Sequence, residues 1–489
     1  MLSPESLFDA MRAHDARPAL QQHDRILSYR ELLQQTALRA ERLRVAGCRR
    51  VAIALDNGLD WALWDLAALQ AGLVCVPLPT FFSPSQLAHV LDSSGIDALV
   101  CDDSRPFESL GFGPTSAQLA RRVVDVPPAL PAGTLKITFT SGTTGQPKGV
   151  CLDAASMMAV ADSLRQASEP CSIERHLCVL PLATLLENIA GVYAPLLAGA
   201  VVEMLPMEEI GFSGASQFDV QRFLAALQRS QPDSLILVPQ LLLMLVTAAE
   251  RGAALPASLR FIAVGGGRVA PALLRRAERL GLPVYEGYGL SECASVVCLN
   301  TPGARRIGSV GRPLPHVEVR IGATGAVLVR GPRMLAYLGE VPLQDEWLDS
   351  GDLGHFEDGF LILHGRRKHQ FITAYGRNVN PEWVESELVQ QSPIAQAWLH
   401  GEALPANVAV LVPRRADLPD SALQAAVEAV NRELPDYARI HHWLRADEAF
   451  TAFNGFATAN GRLRREALLS RYRDAIAGLM ATEIMQGEF

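Results

Sequence analysis

The amino-acid sequence predicts an α/β protein of two domains. A large N-terminal domain, residues 1–365, is expected to hold mostly parallel sheets covered by helices together with a small barrel-like subdomain, and a small α+β domain, residues 366–489, follows it. Three observations carry this expectation. Apolar strand-like runs alternate with helical segments over about the first 300 residues, short strands crowd together from about residue 307, and the pattern changes again beyond a basic segment at 365–368.

The runs at 51–55, 98–101, 178–181, 200–204, 234–238 and 261–264 are short and largely apolar, as strands covered on both faces are, and 135–139 is a further short run of strand character. Segments 60–71, 219–229 and 270–279 carry apolar residues at helical spacing and supply the crossovers that parallel strands require. The runs at 317–321, 327–329 and 360–363 are separated by Gly/Pro turns and read as antiparallel. Past Lys368 come a Pro-initiated helix near 381–391, a strand at 408–412 and a helix near 421–433.

Bulk properties narrow the function classes. The 489 residues are 49% hydrophobic and 20% charged, enough to bury a large core, and the net charge of −8 opposes general nucleic-acid binding. The first residues lack the basic and apolar regions of a signal peptide, and the most apolar windows, 185–202 and 235–249, are interrupted by Glu187, Asn188, Pro195, Pro239 and Gln240, so no membrane span is expected. Eight scattered cysteines without a CxxC pair suit free thiols in a reducing cytoplasm. Lysine is rare: only Lys136, Lys148 and Lys368 occur among the 44 basic residues, so a retained lysine suggests a place where a compact point charge is needed.

The stretch Thr140-Ser141-Gly142-Thr143-Thr144-Gly145-Gln146-Pro147-Lys148-Gly149 combines what a polyphosphate needs: glycines that let the backbone approach, hydroxyl and amide donors, and one ammonium. It follows the strand-like run at 135–139. Lys148 comes after Pro147 and before Gly149, which does not fit the GxxxxGK[ST] of a P-loop. A second glycine cluster, Gly265-Gly266-Gly267, lies between a strand-like run and a helix, where a flat ring can rest on bare backbone.

These two segments, with Tyr285-Glu286-Gly287-Tyr288-Gly289-Leu290-Ser291-Glu292, the run 347–352 ending in Gly351-Asp352, the hinge-like 365–368, the run 375–385 and Thr458-Ala459-Asn460-Gly461-Arg462, occur in the order found in the adenylate-forming superfamily. The resemblance covers roughly residues 25–470 and points to bacterial long-chain acyl-CoA synthetases. It implies ATP, Mg2+ and coenzyme A as cofactors, and a carboxylic acid converted to an acyl-adenylate and then to a thioester.

Residue by residue, the resemblance implies that Thr140, Ser141, Gly142, Thr143, Thr144, Gly145 and Lys148 hold the phosphates, and that Gly265, Gly266, Gly267, Gly287 and Gly289 flank the nucleotide. Tyr288 would stack on adenine, Ser291 would meet phosphate in place of the usual threonine, and Glu292 would bind Mg2+. Asp352 and Arg366 would take the ribose, Lys368 would be the pivot of a mobile C-terminal domain, and Gly376 would line a tunnel for the pantetheine arm. Thr184, Leu185, Asn188, Val192 and Val264 are the expected walls of the acyl pocket.

Three departures stand out. Arg462 replaces the lysine that bridges carboxylate and α-phosphate in the family, small Thr184 stands where a histidine or aromatic gate is common, and Gly325-Ala326 replaces a Gly-Glu pair. The pocket candidates are small or apolar, with no aspartate to hold an amino group, so the expected acid is hydrophobic, a fatty acid foremost. Alternatives stay open: an acyl carrier protein could accept the acyl group, the chain could bind nucleotide or acyl groups with catalysis impaired through Arg462 and Thr184, or it could simply hydrolyse ATP.

Overall fold

The computed structural model describes residues 3–80, 82–140, 147–213, 217–458 and 461–486, with side chains up to residue 480. Two large sheets organise residues 18–337. In the first, of eight strands, Val74–Pro77, Arg50–Ala54 and Ala98–Cys101 run parallel beside Lys136–Thr140, and Lys148–Leu152 returns antiparallel to that last strand. The edge is completed by Ala336–Tyr337, a two-residue strand that arrives almost two hundred residues later in sequence and pairs with Lys148–Leu152.

The second sheet has nine strands. Val284–Leu290, Phe261–Val264, Ser234–Leu237, Arg175–Cys178, Val201–Met204 and Pro18–Gln22 form its parallel body. The strand expected at 178–181 is displaced to Arg175–Cys178, because pairing with its parallel neighbour starts at Arg175↔Val201 and Pro181 has no N–H for the ladder. A hairpin of Pro18–Gln22 and Arg25–Ser28 extends this sheet and was not anticipated.

Between the sheets lies the main apolar core. Helix Leu59–Ala71 is buried nearly all round, including Trp61, Trp64 and Asp65, so it behaves as a core helix without a solvent stripe. Asp65 cannot be left there alone: Lys136 donates to it at 2.8 Å, Tyr193 donates to its other oxygen at 2.6 Å, and Asn188 at 3.0 Å. This network joins a strand of one sheet to two helical segments.

Residues 318–366 make an antiparallel sheet of four strands, Glu318–Ile321, Ala326–Arg330, Leu348–Glu357 and Phe360–Arg366. Beyond it, Ile394–His400, Asn407–Pro413 and Ile440–Arg445 form a three-stranded sheet with helices Pro381–Leu388, Asp420–Asn431 and Arg465–Gln486. Two apolar clusters built only from residues beyond 370 hold this part together. No helix among the described residues is long and apolar enough to cross a membrane.

Candidate active site

A cavity of about 2140 Å3 opens at the C-terminal edge of the nine-stranded sheet, where an open α/β sheet places its ligands. The phosphate-loop candidates Ser141, Gly142, Thr143, Thr144 and Gly145 lie outside the described residues. Their flanks are defined. Thr140 pairs with Lys148 across an antiparallel hairpin, and both reach the cavity.

Lys148 is half exposed, 3.5 Å from Glu340 and over the ring of Tyr337 at 5.1 Å. The Tyr337 hydroxyl donates to Glu292 at 2.6 Å. Tyr337 therefore touches both the predicted phosphate cation and the predicted metal carboxylate, and no motif had marked it. It became recognisable only when the strand Ala336–Tyr337 was seen to pair with the strand carrying Lys148.

The glycine cluster lies between the strand Phe261–Val264 and the helix Pro271–Arg279. Gly265 follows its strand and donates to Leu237 at 3.1 Å, Gly266 borders the cavity, and Gly267 is exposed beyond it. Gly287 and Gly289 line the neighbouring strand with Tyr288, Ser291 and Glu292 close by. At Gly289 a Cβ would lie 1.8 Å from the Ser295 carbonyl, so this position admits no side chain without moving the adjoining strand.

Tyr288 is buried and its hydroxyl donates to Asp352 at 2.5 Å, while Arg366 pairs with the other Asp352 oxygen at 2.9 Å. Asp352 thus sits a layer behind the cavity wall, and burial raises its carboxyl above the usual range despite Arg366.

Arg366, Lys368 and Arg462 converge on the same space. Arg462 reaches from the C-terminal part to donate to the Gly266 carbonyl at 3.1 Å. Burial, and then the Arg366 charge, pull both the Lys368 ammonium and the Arg462 guanidinium below their ordinary values. Three cations crowded this way are stabilised by an anion, and a triphosphate supplies one. With Glu292 offering a hard oxygen, the donor set also fits Mg2+. Gly376 occupies an exposed turn at φ +72° and is not on the cavity wall.

An apolar arm of the cavity, the expected acid site, runs between the sheet face and the helical segment that starts at Glu187. Thr184, Leu185 and Val264 line it, and the Thr184 hydroxyl is tied back to the Pro181 carbonyl at 2.7 Å. Asn188 and Val192, expected on this wall, are core residues instead. Asn188 belongs to the Lys136–Asp65 network, and Val192 is fully buried in the main core. Residues Glu187–Tyr193 form a π-helical turn, whose wider i→i+5 winding changes which residues face the cavity, and Ala190 and Ala194 take that place.

His176, Cys178 and Glu187 are buried with their ligand atoms within 4.8 Å of one another. Burial and Glu187 hold the Cys178 thiol well above its ordinary value, its S–H donates to the Gly191 carbonyl at 3.7 Å, and His176 bonds Glu187 at 3.3 Å, so the three side chains belong to one buried hydrogen-bonded group.

Glu286 makes pH a test of the site's packing. Burial pushes its carboxyl up to about 8, with Arg268 only partly opposing. Its folded value exceeds its unfolded one, so its contribution is fully present below about pH 4.5 and is lost as pH rises through about 8. Glu286→Gln should flatten the fall in unfolding free energy between those limits by on the order of 2–4 kcal/mol, read from melting curves across pH.

Comparison with known proteins agrees with this geometry. Residues 7–337 match the family of AMP-binding enzymes, and residues 368–483 match the AMP-binding enzyme C-terminal domain. The chain is similar to the indoleacetate–CoA ligase of Aromatoleum aromaticum, 30% identical over 72% of this chain and 71% of that one. It is also similar to the long-chain-fatty-acid–CoA ligase FadD15 of Mycobacterium bovis, 28% identical over 76% and 74%. Among solved structures, the o-succinylbenzoate CoA synthetase of Bacillus subtilis with its acyl-adenylate superposes at a TM-score of 0.78, 25% identical, covering 95% of this chain and 98% of that one. With the glycine slot, the convergent cations and the Glu292 carboxylate assembled at one cavity, the chain belongs to the AMP-binding enzymes of the adenylate-forming superfamily.

Proposed function

We propose that the chain is an AMP-forming acid–thiol ligase that activates a hydrophobic carboxylic acid as its acyl-adenylate and transfers the acyl group to coenzyme A. The observation that carries this reading is the joining of two unlike spaces in one cavity: a cation-rich slot of bare backbone at Gly265, Gly266 and Gly287, and an arm walled by Leu185, Ala190, Ala194 and Val264. The similar proteins named above are ligases of an aryl acetate, of long-chain fatty acids and of o-succinylbenzoate; the apolar walls of the arm favour a hydrophobic acid within that range, with the fatty acid one member of it.

In the first step a carboxylate oxygen attacks the α-phosphorus and pyrophosphate leaves. Lys148 neutralises the departing phosphates, Ser291 donates to phosphate oxygen, and Arg462 balances the charge that builds on the pentacoordinate phosphorus. Glu292, held by Tyr337, is the residue that would hold Mg2+, which supplies further charge neutralisation when bound. Lys368 lies in the turn between the two parts and is the pivot of the rearrangement that admits the thiol, with Gly376 brought from solvent to the tunnel in that second arrangement.

Lys148→Ala should lower acid-dependent ATP–pyrophosphate exchange by on the order of a hundredfold. Exchange at the wild-type rate would remove Lys148 from the phosphate site, and absence of an acyl-CoA product from the wild-type protein would overturn the overall reading.

A further inference from the structure

The floor of the acid arm carries an ordered polar array. Period-two alternation places Ser234, Ile236 and Val238 on one face of their strand, beside Phe261 and Ala263 of the next, and this face looks across the arm at Ala190 and Ala194. In that otherwise apolar wall, Ser234 and His176 stand opposite each other in parallel register.

His176 bonds Ser234 Oγ through Nδ1 at 2.9 Å and Glu187 Oε1 through Nε2 at 3.3 Å. Glu187 accepts the Leu180 N–H on its other oxygen at 3.2 Å, and as a carboxylate it only accepts. In the neutral imidazole the bond to Glu187 places the His176 proton at Nε2, which leaves Nδ1 as an acceptor. Ser234 must then donate its own proton to Nδ1, so what its oxygen still offers is acceptor capacity.

Among the described residues the Ser234 side chain bonds His176 and no other protein group. Gly191 makes room for the array, since a Cβ there would lie 2.5 Å from Glu187 Oε1 and 2.9 Å from His176 Nε2. The result is an oxygen acceptor of fixed polarity facing an apolar chamber.

Its depth sets the length of the ligand. Ser234 is three residues below Leu237, which is level with Val264 at the mouth of the glycine slot, a rise of about 10 Å. We propose that Ser234, oriented by His176 and Glu187, reads a hydrogen-bond donor at the far end of the acid, so that the favoured substrates are hydrophobic acids bearing a hydroxyl or amino group about 10 Å from the carboxyl. Ser234 is the specificity residue; His176 and Glu187 act through it as positioning residues. This inference rests on the acid-activating reading above.

The test is pyrophosphate exchange with pairs of acids, each hydroxylated or aminated at that distance against its unsubstituted twin. The substituted member should be favoured about tenfold in kcat/KM, chiefly through KM. Ser234→Ala should bring the ratio toward one, and Ser234→Thr, which keeps the hydroxyl, should restore most of it. Glu187→Gln frees the histidine to adopt either tautomer and should weaken the preference without removing it, read in the same KM ratios. Equal use of both members by the wild-type protein, or a preference unchanged in Ser234→Ala, overturns the inference while leaving acid activation intact. Exchange with no acid of either kind overturns the acid-activating reading itself.

Discussion

Arg462→Ala is expected to lower acid-dependent ATP–pyrophosphate exchange by on the order of a hundredfold or more, while transfer to coenzyme A from supplied acyl-adenylate is largely spared. The asymmetry follows from position. Arg462 hangs over the glycine slot by its bond to the Gly266 carbonyl, and among the described residues beyond Lys368 there is no lysine to replace it. Its charge is useful when negative charge accumulates on phosphorus, and the thioester step develops its charge on the acyl carbonyl instead. Arg462→Lys should preserve or raise adenylation, because a lysine supplies the family's point charge at the same place. Exchange and thioester assays on the purified variants check both statements, and a silent Arg462→Ala would remove the residue from the reaction.

The second large effect concerns the fold. Lys136→Ala should destabilise the protein by about 3–5 kcal/mol, seen as a marked drop in the thermal or urea midpoint. Lys136 and Asp65 are almost fully buried, 2% and 1% exposed, and removing the ammonium leaves Asp65 with neutral donors, the Tyr193 hydroxyl, the Asn188 amide and the Cys75 thiol. Changing both partners to apolar residues of similar volume, Lys136→Met with Asp65→Leu, should recover much of the loss, since no unpaired charge remains. A midpoint unchanged in Lys136→Ala would show that the pair contributes little.

Much of the architecture was legible because burial writes itself into short-range pattern. Strands covered on both faces, such as Ala98–Cys101 and Phe261–Val264, are unbroken apolar runs, and helix Pro271–Arg279 announces its start by proline and its face by spacing. Two-residue strands such as Ala336–Tyr337 carry no such pattern, because their partners are distant in sequence.

The same division holds for the site. Gly265, Gly266, Gly287, Ser291, Glu292, Arg366, Lys368 and Arg462 were named from local motifs and line one cavity. Tyr337 and the His176–Glu187–Ser234 array were missed, since each depends on contacts between separate elements. Asn188 and Val192 were placed on the pocket wall by resemblance, and the stretch that carries them winds as a π-helix that turns both into the core. The scarcity of lysine did point to Lys136, whose requirement turns out to be a buried partner rather than a ligand.

The hairpin that carries Lys148 hangs from the eight-stranded sheet, whereas Glu292 follows a strand of the nine-stranded one, and Tyr337 bridges them. Neither sheet alone fixes the gap between the ammonium and the carboxylate; the thickness of the apolar layer separating the sheets does. Side-chain volume deep in that layer, far from either group, is therefore expected to set how far the proposed phosphate cation stands from the proposed metal carboxylate, without any motif changing.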